Sequence, residues 1–202
     1  MFVGAKIHKI IRIRIEFIVN VVKILIIMKE IDMTRREGPK GVALVELASR
    51  RKQSYIVRTD LKPYKTDEAD GVTFIEQRYD YKPTMDDIKE FIYGVINKHT
   101  DEKILSGFRW QGMNIWLSAE YQRNFAEAHR LVMTDESVLP MMFKMGEDDL
   151  RNPVYHAFET FAELDDFYKS AFAYIKKCQE DGWTEKDHYD FREYERQLED
   201  LQ

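Results

Sequence analysis

The sequence predicts an α+β fold of short antiparallel strands and hairpins packed with three to four helices. Three observations carry this expectation. Tyr55, Val57, Thr59 and Leu61 alternate with other residues at the strand period of two. The stretch ILSGFRWQGMNIWL (104–117) folds back on itself about Gln111-Gly112, a pair suited to a two-residue hairpin turn. Apolar residues recur at helical spacing after capping signals at Thr84, Ser118 and Thr160.

The chain has 202 residues, enough for one or two domains with a sizeable core. Its charge is uneven. Residues 1–60 hold 13 Lys/Arg against 6 Asp/Glu, and residues 61–202 hold 18 against 30, so a basic, apolar head precedes an acidic body. Net charge is −5, which argues against a general nucleic-acid binder. Cys178 is the single cysteine, which excludes an intramolecular disulfide framework and a cysteine-based zinc cluster.

Residues 1–27 form an anomalous segment in which 13 positions are Ile or Val and basic residues recur. Glu16 and Lys23 break the apolar run a transmembrane helix needs, and no signal-peptide cleavage site is visible. Three readings stay open: upstream sequence translated from a misplaced start, with an ordinary start at Met28; a membrane-associated or partner-binding segment; or a genuine strand or helix. Few contacts between residues 1–27 and the body are expected. Residues 28–53 read as a basic linker or arm, with a turn at Gly38-Pro39 and Gly41 and a short apolar stretch at 42–47.

The main domain is expected over 54–202. Strands near 55–61 and 72–81 form a hairpin across a ten-residue polar loop, KPYKTDEADG. Thr84 and Asp87 resemble a capping box opening a helix over about 84–98. In the 104–117 hairpin, Trp110 pairs with Met113, Phe108 with Ile115, Arg109 with Asn114 and Ser106 with Leu117. One face is then apolar, while Trp116 covers Gly107 on the other. Ser118 caps a helix over 119–133 with Gln122, Phe125, Ala126, His129, Val132 and Met133 inward. Extended segments at 138–145 and 153–158 flank an acidic loop. Thr160 and Glu163 form a capping box for a helix running to about 180 with Cys178 on its inner face. Asp181-Gly182 ends it, and Thr184 with Asp187 opens a last helix docked through Tyr189 or Phe191, Tyr194, Leu198 and Leu201.

No residue set has the spacing of a catalytic, cofactor-binding or metal site, so none is assigned. His129 lies on an apolar helix face and reads as a hydrogen-bonded boundary histidine. His99, His156 and His188 are scattered without metal-ligand spacing. Cys178 with His188 lacks any mark of an activated thiol. Glu147-Asp148-Asp149 lacks the alternating pattern of a calcium loop and reads as a solvated turn. Asp165-Asp166 reads as a helix-dipole partner on a solvent face. The hairpin aromatics read as core rather than a ligand platform. The basic residues Arg35, Arg36, Lys40, Arg50, Arg51 and Lys52 read as a solvated or partner-binding face.

The stretch from Thr84 to Trp183 resembles an uncharacterised domain family encoded by bacteriophages and prophages, often near or fused to tail-fibre genes. The shared residues run D-E-K-I-L-S-G-F-x-W-x-x-M-x-x-W-L-S-x-E-x-Q-x-N from Asp101 to Asn124, then L-P-x-x-F-K at 139–144, P-V-Y-H-x-F at 153–158 and D-F-Y-x-x-A at 166–171. The likeness extends upstream through Tyr55–Arg58 and Lys82-Pro83-Thr84. His129 and Arg130 stand where relatives have a plainer helix, and residues 1–27 have no counterpart. The resemblance implies a phage accessory structural or assembly protein, tail-fibre related and not an enzyme. It would act in the host cytoplasm or the virion by contact with another fibre or baseplate protein. Nucleic acid and membrane are not expected partners. Tyr64, Tyr79, Tyr81 and Tyr189 are candidate contact aromatics. The alternative is a small phage enzyme acting on host glycan or peptidoglycan, which needs two carboxylates across a cleft.

Overall fold

The computed structural model describes residues 31–66, 70–148 and 150–201. Residues 1–27 therefore lie outside the described residues. The architecture is α+β, as expected.

Four strands, β1 (Arg35–Gly38), β2 (Val45–Ser49), β3 (Ser54–Lys65) and β4 (Asp70–Tyr79), form an antiparallel sheet in the order β1-β4-β3-β2. The stretch read as a basic linker supplies two of these strands. Glu46 lies opposite Ile56, and Arg36 opposite Phe74. The ten-residue loop shrinks as well: Lys62 to Lys65 pair with Thr73 to Asp70. Both faces of β3 are buried from Tyr55 to Thr59, not one face only. Tyr55 and Val57 join Ile75 and Tyr79 in one core. On the other face, the Arg58 guanidinium lies 5.1 Å from the Phe74 ring centroid and bonds Ala43 O and Glu46.

Helix α1 (Met85–Ser106) covers the sheet. Its start is the capping box expected from the sequence. Asp87 N donates to Thr84 Oγ1 at 3.2 Å and Thr84 N to Asp87 Oδ2 at 2.7 Å, satisfying two otherwise orphaned donors. Ile88, Phe91, Ile92, Val95 and Ile96 bury against the sheet, each full burial contributing about 1.5–3 kcal/mol. The helix runs eight residues past the expected end, so Ile104 reaches a second core.

That second core lies among two hairpins and two helices. They are β5 (Phe108–Trp110) with β6 (Met113–Ile115), α2 (Ala119–Thr134), β7 (Met141–Glu147) with β8 (Pro153–Phe158), and α3 (Phe161–Asp187). The β5–β6 register is Phe108 with Ile115, Arg109 with Asn114 and Trp110 with Met113. Gln111 and Gly112 both have positive φ, 47° and 81°, as the tight turn requires. The extension to Ser106–Leu117 does not form, because Ser106 is still helical; Leu117 N instead donates to Leu105 O. Trp116 does not cover Gly107 either. A Cβ at Gly107 would meet the Tyr174 hydroxyl, whereas Trp116 lies over Gly146.

Ser118 caps α2 by accepting from Tyr121 N. Phe125 and Val132 are buried as expected and Gln122, Ala126 and His129 are half-buried, but Ala128 joins the buried stripe and Met133 is exposed. Thr160 caps α3, but Glu163 does not complete the box. Its carboxylate accepts from Glu159 N and bonds His156. Nor does α3 end at Gly182. The helix passes through it, because a Cβ there would lie 2.5 Å from Thr100 Oγ1 of α1: the glycine permits a close crossing. Thr184 is correspondingly no cap, its hydroxyl donating to Glu180 O one turn back. The last helix, α4 (Arg192–Asp200), begins later and docks Tyr194 on the sheet, with Tyr189, Phe191, Leu198 and Leu201 beside it.

Candidate functional site

The β3–β4 ladder breaks between Thr59 and Lys62, leaving Asp60 and Leu61 in a bulge. Bulges re-aim side chains and are enriched beside functional sites. Asp60 adopts φ 53°, the left-handed region that aspartate tolerates better than most residues. What holds it there is Arg35. Its Nη1 donates to Asp60 Oδ2 at 2.5 Å, and its Nη2 donates to Asp60 O at 2.6 Å and Thr73 O at 3.0 Å. Lys62 Nζ lies 3.1 Å and His99 Nε2 of α1 3.5 Å from the same carboxylate oxygen.

The bulge opens onto a cavity of about 340 Å³ bounded by the sheet, α1, the end of α3 and the start of α4. Leu44, Leu61, Ile92, Val95 and Ile96 give it aliphatic walls. Thr59, Tyr189 and Tyr194 bring three hydroxyls to it in a hydrogen-bonded row: Thr59 to Tyr189 at 2.9 Å, and Tyr189 to Tyr194 at 3.1 Å. Burial, then the neighbouring Tyr189, pushes the Tyr194 hydroxyl pKa above the ordinary tyrosine range. Glu185 and Asp190 also line the cavity. Hydrogen bonds from Arg192 hold Asp190 at about 2, which unsuits it as a proton donor near neutrality.

Of the residues singled out in the sequence, His99 and Tyr189 line this cavity and Arg35 braces the bulge, while the others are placed elsewhere. His129 Nε2 lies 2.9 Å from Asp165 Oδ1, and its ring stacks on Tyr168 at 4.4 Å. His156 pairs with Glu163 at 2.9 Å, and Asp166 accepts from the Trp110 indole. Asp165 and Asp166 thus bind other elements rather than serving only the helix dipole. Cys178 is buried beside Tyr174, whose hydroxyl pKa is raised to about 12 by burial and then by that thiol. His188 Nδ1 is bonded to Thr184 O. Asp148 closes the β7–β8 loop by accepting from Leu150 N and Asn152 N, while Asp149 lies outside the described residues. Arg35 serves the bulge, Arg36 lies 3.8 Å from Asp32, and Lys40 pairs with Asp70 at 2.6 Å. Arg50, Arg51 and Lys52 are exposed at the β2–β3 turn. Among the candidate contact aromatics, Tyr79 is buried, Tyr64 and Tyr189 are half-buried, and Tyr81 is exposed. Among the described residues, no group of three or more His, Cys, Asp or Glu is placed to hold a metal ion.

A second concavity, a groove of about 580 Å³, runs between α2 and β7. Ala128, Leu131, Met141 and Phe143 line it, with Glu127 and Arg130 ion-paired beside them. Leu131 is 46% exposed, and Met133 and Met142, on the same helix and strand, are exposed further.

Sequence reasoning missed Asp60, His99, Glu185 and the hydroxyl row as a site. The sequence carries no signal for it, because Asp60 falls in phase with Arg58 and Lys62 as an ordinary outward position of an alternating strand.

No protein-family model matches the chain, and neither does any curated protein or solved structure. Among the described residues, no helix is long and apolar enough to cross a membrane.

Proposed function

We propose that this chain is a non-enzymatic accessory protein of a phage or prophage, related to tail fibres, that works by contact with another phage structural protein. The observation that supports this reading is the α2–β7 groove. It leaves Leu131 46% exposed over a floor of Met141 and Phe143, on a chain of which a third of the residues are charged. The flexible thioether of Met141 adapts to apolar side chains of a partner, and exposed apolar patches mark interaction surfaces. His129, His156, Asp165 and Asp166 support it too, since each is engaged inside the protein.

The enzyme alternative draws on the cavity under the bulge, which Asp60 and Glu185 both line. Asp60 is ion-paired to Arg35 and Lys62 and Asp190 to Arg192, so among the described residues Glu185 is the one lining carboxylate without a cationic partner, whereas glycoside hydrolysis uses an acid and a second carboxylate together.

The test is affinity capture from infected cells with wild type and with Leu131→Asp, alongside glycan and peptidoglycan hydrolysis assays. A fibre or baseplate protein held by wild type and lost from the variant supports contact through the groove. Turnover abolished by one Asp or Glu substitution, with no virion protein recovered, overturns the reading.

A further inference from the structure

The cavity under the β3 bulge has a polarity that follows from where its hydroxyl protons go. Tyr194 Oη donates to Arg58 O at 2.9 Å. With that proton committed, Tyr194 accepts from Tyr189 across 3.1 Å. Tyr189 in turn accepts from Thr59 Oγ1 at 2.9 Å. Each hydroxyl has one proton and two lone pairs. All three protons therefore point inward along one row that ends on a backbone carbonyl. What the hydroxyls retain for a guest is lone pairs.

The remaining polar lining has the same bias. Asp60, Glu185 and Asp190 are carboxylates, and among the described residues no lysine or arginine lines the cavity. Asp60 and Asp190 have cationic partners, whereas Glu185 has no intramolecular partner among the described residues. With the hydroxyl protons committed, His99 is the one lining side chain among the described residues that can present a donor and an acceptor at once. The opposite wall, Ile92, Val95 and Ile96 of α1, is aliphatic.

We infer that this cavity binds a primary ammonium group carried on an aliphatic stem. An ammonium has three donors and no acceptor, which complements a lining of lone pairs and carboxylates. Its methylene stem packs on the aliphatic wall, as lysine stems do on apolar surfaces. An anion of the same length meets three carboxylates and lone pairs, with His99 alone among the described lining side chains able to donate to it. The ammonium can come from a free diamine or from a lysine side chain of another protein. The inference is independent of the α2–β7 groove, since it uses none of the same residues.

The experiment is calorimetric titration of the full chain with cadaverine and with Nα-acetyl-lysine methylamide, and with glutarate and pentanediol as anionic and neutral controls. At least one ammonium probe should bind with Kd of about 1 mM or tighter. Preference for cadaverine points to a free amine, and preference for the lysine amide to a protein side chain. Glu185→Gln, on an exposed helix position, should weaken binding roughly tenfold by removing the free charge. Tyr189→Phe should weaken it less and leave the circular dichroism spectrum unchanged. Absence of binding by both ammonium probes, equal binding of glutarate, or unaltered affinity in Glu185→Gln would each overturn the inference. Loss of virion-protein capture in Leu131→Asp, with cadaverine binding intact, would separate this site from the contact surface.

Discussion

The indole Nε1 of Trp110 donates to Asp166 Oδ2 at 2.9 Å, tying the β5–β6 hairpin to the second turn of α3. Trp110 is 6% exposed and sits in a nest of rings, 5.2 Å from Phe167 and 5.7 Å from Phe158. The donor belongs to a buried indole and the acceptor is a charged carboxylate, so Asp166→Ala should cost about 1–3 kcal/mol, read as a lowered urea midpoint. In a Trp110→Phe background the same substitution should cost under about 0.5 kcal/mol, because no donor is left unpaired. Equal costs in both backgrounds would show that the bond carries nothing.

Phe108 tests the packing of the same hairpin. It is 5% exposed and its ring lies 6.0 Å from Phe167 and 5.4 Å from Tyr174. Phe108→Ala leaves a ring-sized hole among rigid neighbours and should destabilise by roughly 3–5 kcal/mol. A loss under about 1 kcal/mol in denaturant unfolding would mean that the surroundings collapse freely into the space.

The crossing of α1 and α3 should resist a substitution that helix propensity favours. Alanine is better than glycine in a helix interior by about 1 kcal/mol. At position 182 its Cβ would sit 2.5 Å from Thr100 Oγ1, and Thr100 is β-branched and held by a bond to Ile96 O. Gly182→Ala should thus lower stability by about 1–3 kcal/mol. Thr100→Ala should recover most of that loss in the double variant, and thermal unfolding of the four proteins measures the coupling.

Asp165 predicts the direction of one pH effect. Its pKa is lowered, first by the hydrogen bond from Lys169 and then by that from His129. A carboxyl with a depressed folded-state pKa stabilises the fold above its unfolded value, about 3.9, and loses that contribution as pH falls through the folded value. Wild type should therefore lose melting temperature below about pH 4 more steeply than Asp165→Asn, whose amide does not titrate there. Parallel melting curves from pH 6 to pH 3 would contradict this.

Features encoded within a few residues were legible in the sequence. The positive-φ turn at Gln111-Gly112 and the caps at Thr84, Ser118 and Thr160 depend on neighbours in the chain, and all four occur. The errors arise where a residue answers to a distant partner. Asp181-Gly182 has the chemistry of a helix stop, yet Gly182 is set by Thr100. Glu163 has the spacing of a box, yet His156 claims its carboxylate. Trp116 was assigned to the glycine across its own hairpin, while Gly146 of the next hairpin lies under it. The candidate cavity is the extreme case. Thr59 and Tyr189 meet from 130 positions apart, and the bulge that admits them depends on Arg35 of a strand hidden in a polar stretch. Period-two reasoning has no means of seeing a residue that leaves the ladder.

Helix α1 belongs to both cores: Ile88 through Ile96 pack on the sheet, and Ile104 packs among the hairpins. Severing the chain at Gly107 would strand apolar surface on each fragment, and α3 would lose the groove that Thr100 offers Gly182. The two halves should therefore unfold as one cooperative unit. A calorimetric scan should show a single endotherm whose van 't Hoff and measured enthalpies agree. Amides in the β5–β6 hairpin and in β3 should exchange with solvent at a common limiting free energy, because the same opening exposes both.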